Sequence, residues 1–162
     1  MPTIHNTIEI RAPPEEVFDL MADYERYPEW VAIVEEASLV SGDQIEAGAE
    51  YEEVSHLGPK RSMSRWRVTE FDPPHRQVHV GHLPFGPVEL TIETRSDGDG
   101  GTILDHTVEL TALPRFRPLG WLLERLVLVR TFEADMDESL AAFAELVEAE
   151  DEGFIETAEE DR

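Results

Sequence analysis

The chain has 162 residues, no cysteine, and 36 acidic against 13 basic side chains, for a formal net charge of −23. That length fits one domain burying roughly 70% of the surface its unfolded chain exposes, and the lack of cysteine excludes disulfides, thiolate metal sites and a cysteine nucleophile. No apolar run is long enough to span a membrane, the N-terminus has no signal-peptide pattern, which predicts a cytoplasmic address, and a phosphate backbone would find no basic face to bind.

The first predicted strand, Thr3–Ile10, alternates, with Ile4, Ile8 and Ile10 on one face and His5, Thr7 and Glu9 on the other. Pro13 and Pro14 end it and suit the first turn of a helix. Glu15 and Glu16 then match the positive helix start, and Val17, Phe18, Leu20 and Met21 supply a buried stripe. Asp23 is placed to cap a second short helix carrying Tyr24, Tyr27 and Trp30, which Pro28 limits to a turn or two.

Six strands follow, at Val34–Ser41, Ala49–Leu57, Arg61–Phe71, Gln77–His82, Val88–Arg95 and Thr102–Leu113. Their connections carry hairpin chemistry: Gly42-Asp43, Gly58-Pro59-Lys60, Asp72-Pro73-Pro74, and the run Asp97 to Gly101. Sequential hairpins predict an antiparallel meander. Its inner face is expected to carry Ser64, Trp66 and Val68, then Val78, Val80 and His82, then Val88, Leu90 and Ile92, then Leu104, His106, Val108 and Leu110. The phase of Ala49–Leu57 stays open, since both parities mix apolar and polar residues. Arg65 and Arg67 are expected to face outward, opposite Glu52 or Glu53.

One closing helix is predicted from Pro118 to Val147, about 45 Å long. Its apolar stripe reads Leu119, Leu122, Leu126, Val129, Phe132, Met136, Leu140, Phe143 and Val147 at steps of three and four. Residues 1–147 thus form a single domain, and 148–162, with eight acids and one arginine, are expected to fray or stay disordered. Acids spread along the whole chain, with Lys60 the single lysine, resemble the composition of proteins from salt-in halophiles, archaeal ones among them. Self-repulsion at that charge favours concentrated salt, in which the Debye length shrinks to about 3 Å.

The order of one strand, two small helices, a six-strand meander and a long closing helix resembles the helix-grip fold, an α+β class with a curved antiparallel sheet of about seven strands. The residues carrying the likeness are Ala12 to Phe18, Asp23-Tyr24, Tyr27 to Trp30, Trp66-Arg67-Val68, Asp72 to Arg76, and Gly101-Thr102. They resemble the SRPBCC superfamily, which includes START lipid-transfer domains and birch-pollen-allergen relatives, and within it the polyketide cyclase/dehydrase and coenzyme-Q-binding branch. Such a fold implies a hydrophobic cavity between sheet and closing helix. The expected lining is Trp66, Val68, Val80, His82, Leu90, Ile92, Leu104, Val108, Leu122, Leu126, Val129 and Met136. A mouth is expected at Phe85, Phe116 and Trp121, where two Pro-rich apolar connections meet.

The expected partner is therefore a small hydrophobic molecule, such as a lipid, an isoprenoid quinone or a polyketide-like chain, without a cofactor. Transient contact with a membrane or protein stays open, as does oligomeric state. An enzyme of the cyclase or dehydratase kind is the alternative, with His106 as its acid–base residue because it shares parity with Leu104 and Val108. Other polar groups expected near the cavity are His82, Arg65, Arg67, Glu53 and Tyr51. No metal site is expected, because His79 and His82 fall on opposite strand faces and no His-Glu-x-x-His motif occurs. Nor is there a Gly-x-Ser-x-Gly elbow for a nucleophilic serine.

Overall fold

Strand β1 (Thr3–Ile10) leads into α1 (Pro14–Ala22), whose apolar residues Val17, Phe18, Leu20 and Met21 are all buried. A 3₁₀ turn at Tyr24–Arg26 and the single-turn helix α2 (Tyr27–Trp30) follow. Asp23 stands at the start of the 3₁₀ turn without a side-chain capping bond. The computed structural model describes the backbone of residues 3–57, 59–83, 86–110 and 119–160, and the side chains of 3–56, 59–83, 86–110 and 130–153.

The meander is β2 (Val34–Ser41), β3 (Glu50–Leu57), β4 (Lys60–Asp72), β5 (Arg76–Leu83), β6 (Gly86–Ser96) and β7 (Thr102–Leu110). Together with β1 it forms one seven-stranded antiparallel sheet in the order β1-β7-β6-β5-β4-β3-β2. The sheet and one long helix, α3 (Leu119–Glu160), give the helix-grip architecture. Between β6 and β7 the turn is closed by Asp97, whose Oδ1 accepts bonds from the amides of Asp99 (2.7 Å) and Gly101 (2.9 Å). Gly98 and Gly100 there adopt φ near +92° and +93°, the left-handed region that favours glycine.

Helix α3 buries Phe132, Leu140, Phe143 and Val147 against the sheet and α2, with Trp30 and Phe143 in edge contact at 4.9 Å between ring centres. Ser139 of the same helix accepts the Ala32 amide at 2.9 Å. The helix runs on past the boundary expected at Val147, to Glu160. Its acids there find cations on the body of the domain: Glu148 pairs with Arg11 at 3.3 Å and Glu150 with Arg26 at 2.7 Å. Two of the eight acids expected to fray thus meet arginines of the domain, through exposed pairs of the kind that contribute little on their own.

The outer face of the sheet is a lattice of ion pairs. Arg65 reaches Glu52 at 2.6 Å, Arg67 bonds Glu50, Arg76 bridges Glu70 (2.8 Å) and Glu93 (2.7 Å), and Arg95 bonds Asp105. Arg65 and Arg67 thus face outward, and their partners are Glu52 and Glu50; Glu53 lies on the inner side, among the residues of the cavity described below.

Candidate functional site

The inner face follows from which residues stand opposite one another. Directly opposed residues in an antiparallel pair project to the same face. Trp66 opposes both Tyr51 of β3 and Gly81 of β5, and Val68 opposes His79. With Trp66 and Val68 buried, Tyr51, His79 and Gly81 are drawn inward. Residues Glu53 and Ser55 share the phase of Tyr51, which settles the strand whose phase was open.

The same logic reverses β5 from its expected phase. Val80 is half-buried and His82 exposed on the outer side, whereas Gln77, His79 and Leu83 are buried. The expectation that Val80 and His82 line the cavity is therefore corrected. Hydrophobicity favoured Val78 and Val80, but the register is imposed by the close approach of Gly81 to Trp66. A Cβ on residue 81 would lie 2.6 Å from the indole ring, so the absence of a side chain there lets the large ring lie flat on the strand. A shift in the β4–β5 register between Val68 and Glu70 accompanies this pairing.

A cavity of about 80 Å³ lies between sheet, α2 and α3. Its wall includes Trp66, Leu90, Ile92, His106, Val108 and Met136 from the expected set, together with Met21, Tyr27, Trp30, Tyr51, Glu53, Ser55, Leu83, Val88 and Phe132. Val68 and Leu104 are fully buried in the core beside it and do not line it. The side chains of Leu122, Leu126 and Val129, and the expected mouth residues Phe85, Phe116 and Trp121, lie outside the described residues. Arg65 and Arg67 point away, as the ion pairs above show.

The polar part of the wall is ordered by a buried hydrogen-bond chain. Tyr51 Oη donates to His79 Nδ1 at 2.8 Å, and His79 Nε2 donates to Gln77 Oε1 at 2.9 Å. Because the Gln77 oxygen can only accept, the proton of the neutral His79 ring sits on Nε2. Burial, reinforced by His106, pushes the His79 pKa down to about 4, so the ring is neutral at physiological pH. Burial does the same to His106, also to about 4. Tyr27 and Tyr51 meet edge-on at 5.9 Å, and burial pushes both phenols above their ordinary value.

Glu53 is the acidic residue of the described wall. Burial raises its carboxyl to about 7, against a smaller opposing effect of the Trp66 N–H. Three further wall residues carry buried polar atoms without a hydrogen-bond partner among the described residues: Trp30 Nε1, Ser55 Oγ and His106 Nδ1. Unmade bonds of this kind each cost about 1–3 kcal/mol, and each calls for a partner such as a water, an ion or a ligand group. Among the described residues no group of three or more metal-ligating side chains occurs, and no helix is long and apolar enough to cross a membrane.

A curved sheet closed by one long helix over a largely apolar cavity defines a helix-grip protein. This chain belongs to the family described as polyketide cyclase / dehydrase and lipid transport, whose model matches residues 1–148. An uncharacterized protein of Mycobacterium tuberculosis is 29% identical over 149 residues, covering 90% of this chain and 99% of the relative. A crystal structure from Thermus thermophilus superposes with a TM-score of 0.70 at 24% identity, covering 91% of this chain and 98% of the other. A START superfamily protein from Mycobacterium smegmatis does so with a TM-score of 0.66 at 13% identity, covering 94% and 98%. At these identities the two structures establish the fold.

Proposed function

We propose that this protein binds a small hydrophobic molecule, a lipid, isoprenoid quinone or polyketide-like chain, between its sheet and α3. The observation that carries this reading is the cavity wall, in which aromatic and aliphatic side chains surround a few buried polar atoms lacking partners. Affinity would come from apolar burial at about 25 cal/mol per Å², and the polar atoms would set orientation. The family's description, which includes lipid transport, is in keeping with it. The described space of about 80 Å³ is smaller than the roughly 150 Å³ cavity that accommodates benzene, so it would hold one end of a ligand.

Native mass spectrometry of protein purified in concentrated salt, followed by organic extraction, tests the reading. A copurifying small molecule released by solvent is the expected result. A bare polypeptide mass that also fails to take up any apolar probe would overturn it.

A second reading, acid–base catalysis of the cyclase or dehydratase kind, is favoured by one pair of groups. His106, with its unpartnered Nδ1, and Glu53 line the same cavity. With its pKa near 4, His106 serves as a hydrogen-bond acceptor or base and makes a poor acid at neutral pH. Glu53, near 7, is better matched to proton exchange there. Under this reading Glu53 and His106 divide the role that the sequence assigned to His106 alone.

A further inference from the structure

The charge pattern of the cavity narrows the ligand class. Glu53 is acidic, and no lysine or arginine lines the cavity among the described residues. The sheet's arginines are engaged on the opposite face with Glu50, Glu52, Glu70, Glu93 and Asp105. The groups that face Glu53 are neutral: the phenols of Tyr27 and Tyr51 and the indole of Trp66. Trp30 Nε1 can only donate, whereas the Ser55 hydroxyl both donates and accepts.

We propose that this cavity takes an uncharged ligand whose polar end is a hydroxyl or carbonyl oxygen, and rejects the carboxylate of the same skeleton, with Glu53 setting the discrimination. The inference rests on the ligand-binding reading above. A ligand carboxylate entering this wall would lose its hydration without meeting a cation among the described residues, and it would lie beside a second carboxyl group. A hydroxyl can accept from the indole N–H and donate to Glu53 or Ser55. A carbonyl can accept from the same donors, and from Glu53 when that group is protonated. Free fatty acids and other carboxylate lipids are thereby disfavoured, and alcohols, phenols, quinols and keto chains are admitted.

The test compares 2-naphthol with 2-naphthoate by titration calorimetry at about pH 8, where the phenol is neutral and the acid ionised. Working in about 1 M KCl shortens the Debye length to about 3 Å, so the surface charge is screened while a buried like-charge contact persists. Naphthol is expected to bind at least about tenfold tighter than naphthoate, the effect of a like charge on a buried neighbour. Glu53→Gln is expected to narrow that ratio by about fivefold or more. The ratio is taken within one preparation, so loss of folded protein cancels. Equal binding of the two probes, or an unchanged ratio in Glu53→Gln, overturns the selectivity and leaves the cavity reading standing. Binding of neither probe overturns the proposal that phenols are admitted; the cavity reading is then decided by the native mass spectrum, because naphthol exceeds the described space of about 80 Å³.

Discussion

The two sides of the cavity differ in what their strands contribute. The β6–β7 side is aliphatic, with Val88, Leu90, Ile92 and Val108 interrupted by His106. The β3 side presents Tyr51, Glu53 and Ser55, backed by the buried His79 and Gln77 of β5. One side offers area and shape without direction. The other offers few atoms, each with a required partner. A site divided in this way separates affinity from orientation, because apolar burial is indifferent to rotation of the ligand and hydrogen bonds are not.

The largest expected effect breaks the aliphatic side. Ile92 is 2% exposed and lines the cavity, so Ile92→Ala should cost about 4 kcal/mol of stability in a urea titration. A loss below about 1 kcal/mol would mean that the side is loosely packed and contributes little to the fold.

The polar side responds to pH. His79 and His106 fall from 6.5 to about 4 on folding, so between those values the unfolded chain binds protons that the folded chain refuses. Their contribution is complete above about 6.5 and is lost as pH falls toward 4. Glu53 runs the other way: its carboxyl rises from 4.5 to about 7, so its contribution is present below 4.5 and lost as pH rises to 7. Two groups outweigh one, and these three should together remove roughly 2 kcal/mol between pH 7 and 4.5. Glu53→Gln deletes the opposing effect and should steepen that fall by a similar amount. Urea midpoints measured across this range, at constant high salt, check both statements; a variant profile parallel to the wild type would refute the inward placement of Glu53.

The smallest expected effect lies where the two sides meet. In Gly81→Ala a methyl would press on the Trp66 indole, which stacks on Tyr51 at 6.3 Å between ring centres. Shifting that stack should cost about 2 kcal/mol, read as a lower thermal midpoint, together with a change in Trp fluorescence. An unchanged spectrum would show that Trp66 is not held in place by the strand beneath it.

Much of this architecture is legible in the chain. Strict alternation in β1 and β7, the Pro-Pro-Glu-Glu start of α1 and the three–four spacing in α3 each have one physical solution, because the alternative places isoleucine or leucine in water. His106 is readable for the same reason, lying between Leu104 and Val108 on a strand with one apolar face. β5 was not, since Val78 and Val80 offer an apolar face as convincing as the true one. Nothing local announces that Gln77 and His79 will find partners in each other and in Tyr51. Glu53 was hidden by a strand of mixed parity, although its position opposite Ser64 follows directly once the β3–β4 register is known.

The element order, the antiparallel meander, the gripping helix and the acidic exterior are consequences of period, turn chemistry and composition, all properties of the chain alone. Which face of β3 and β5 looks inward, how far α3 continues, and which buried polar groups meet are set by contacts made in the folded molecule. Those depend on pairing between strands and on ion pairs such as Arg26 with Glu150, contacts between residues far apart in the chain. A hydrophobic pattern describes each segment's preference, and the free energy of a register belongs to the pair.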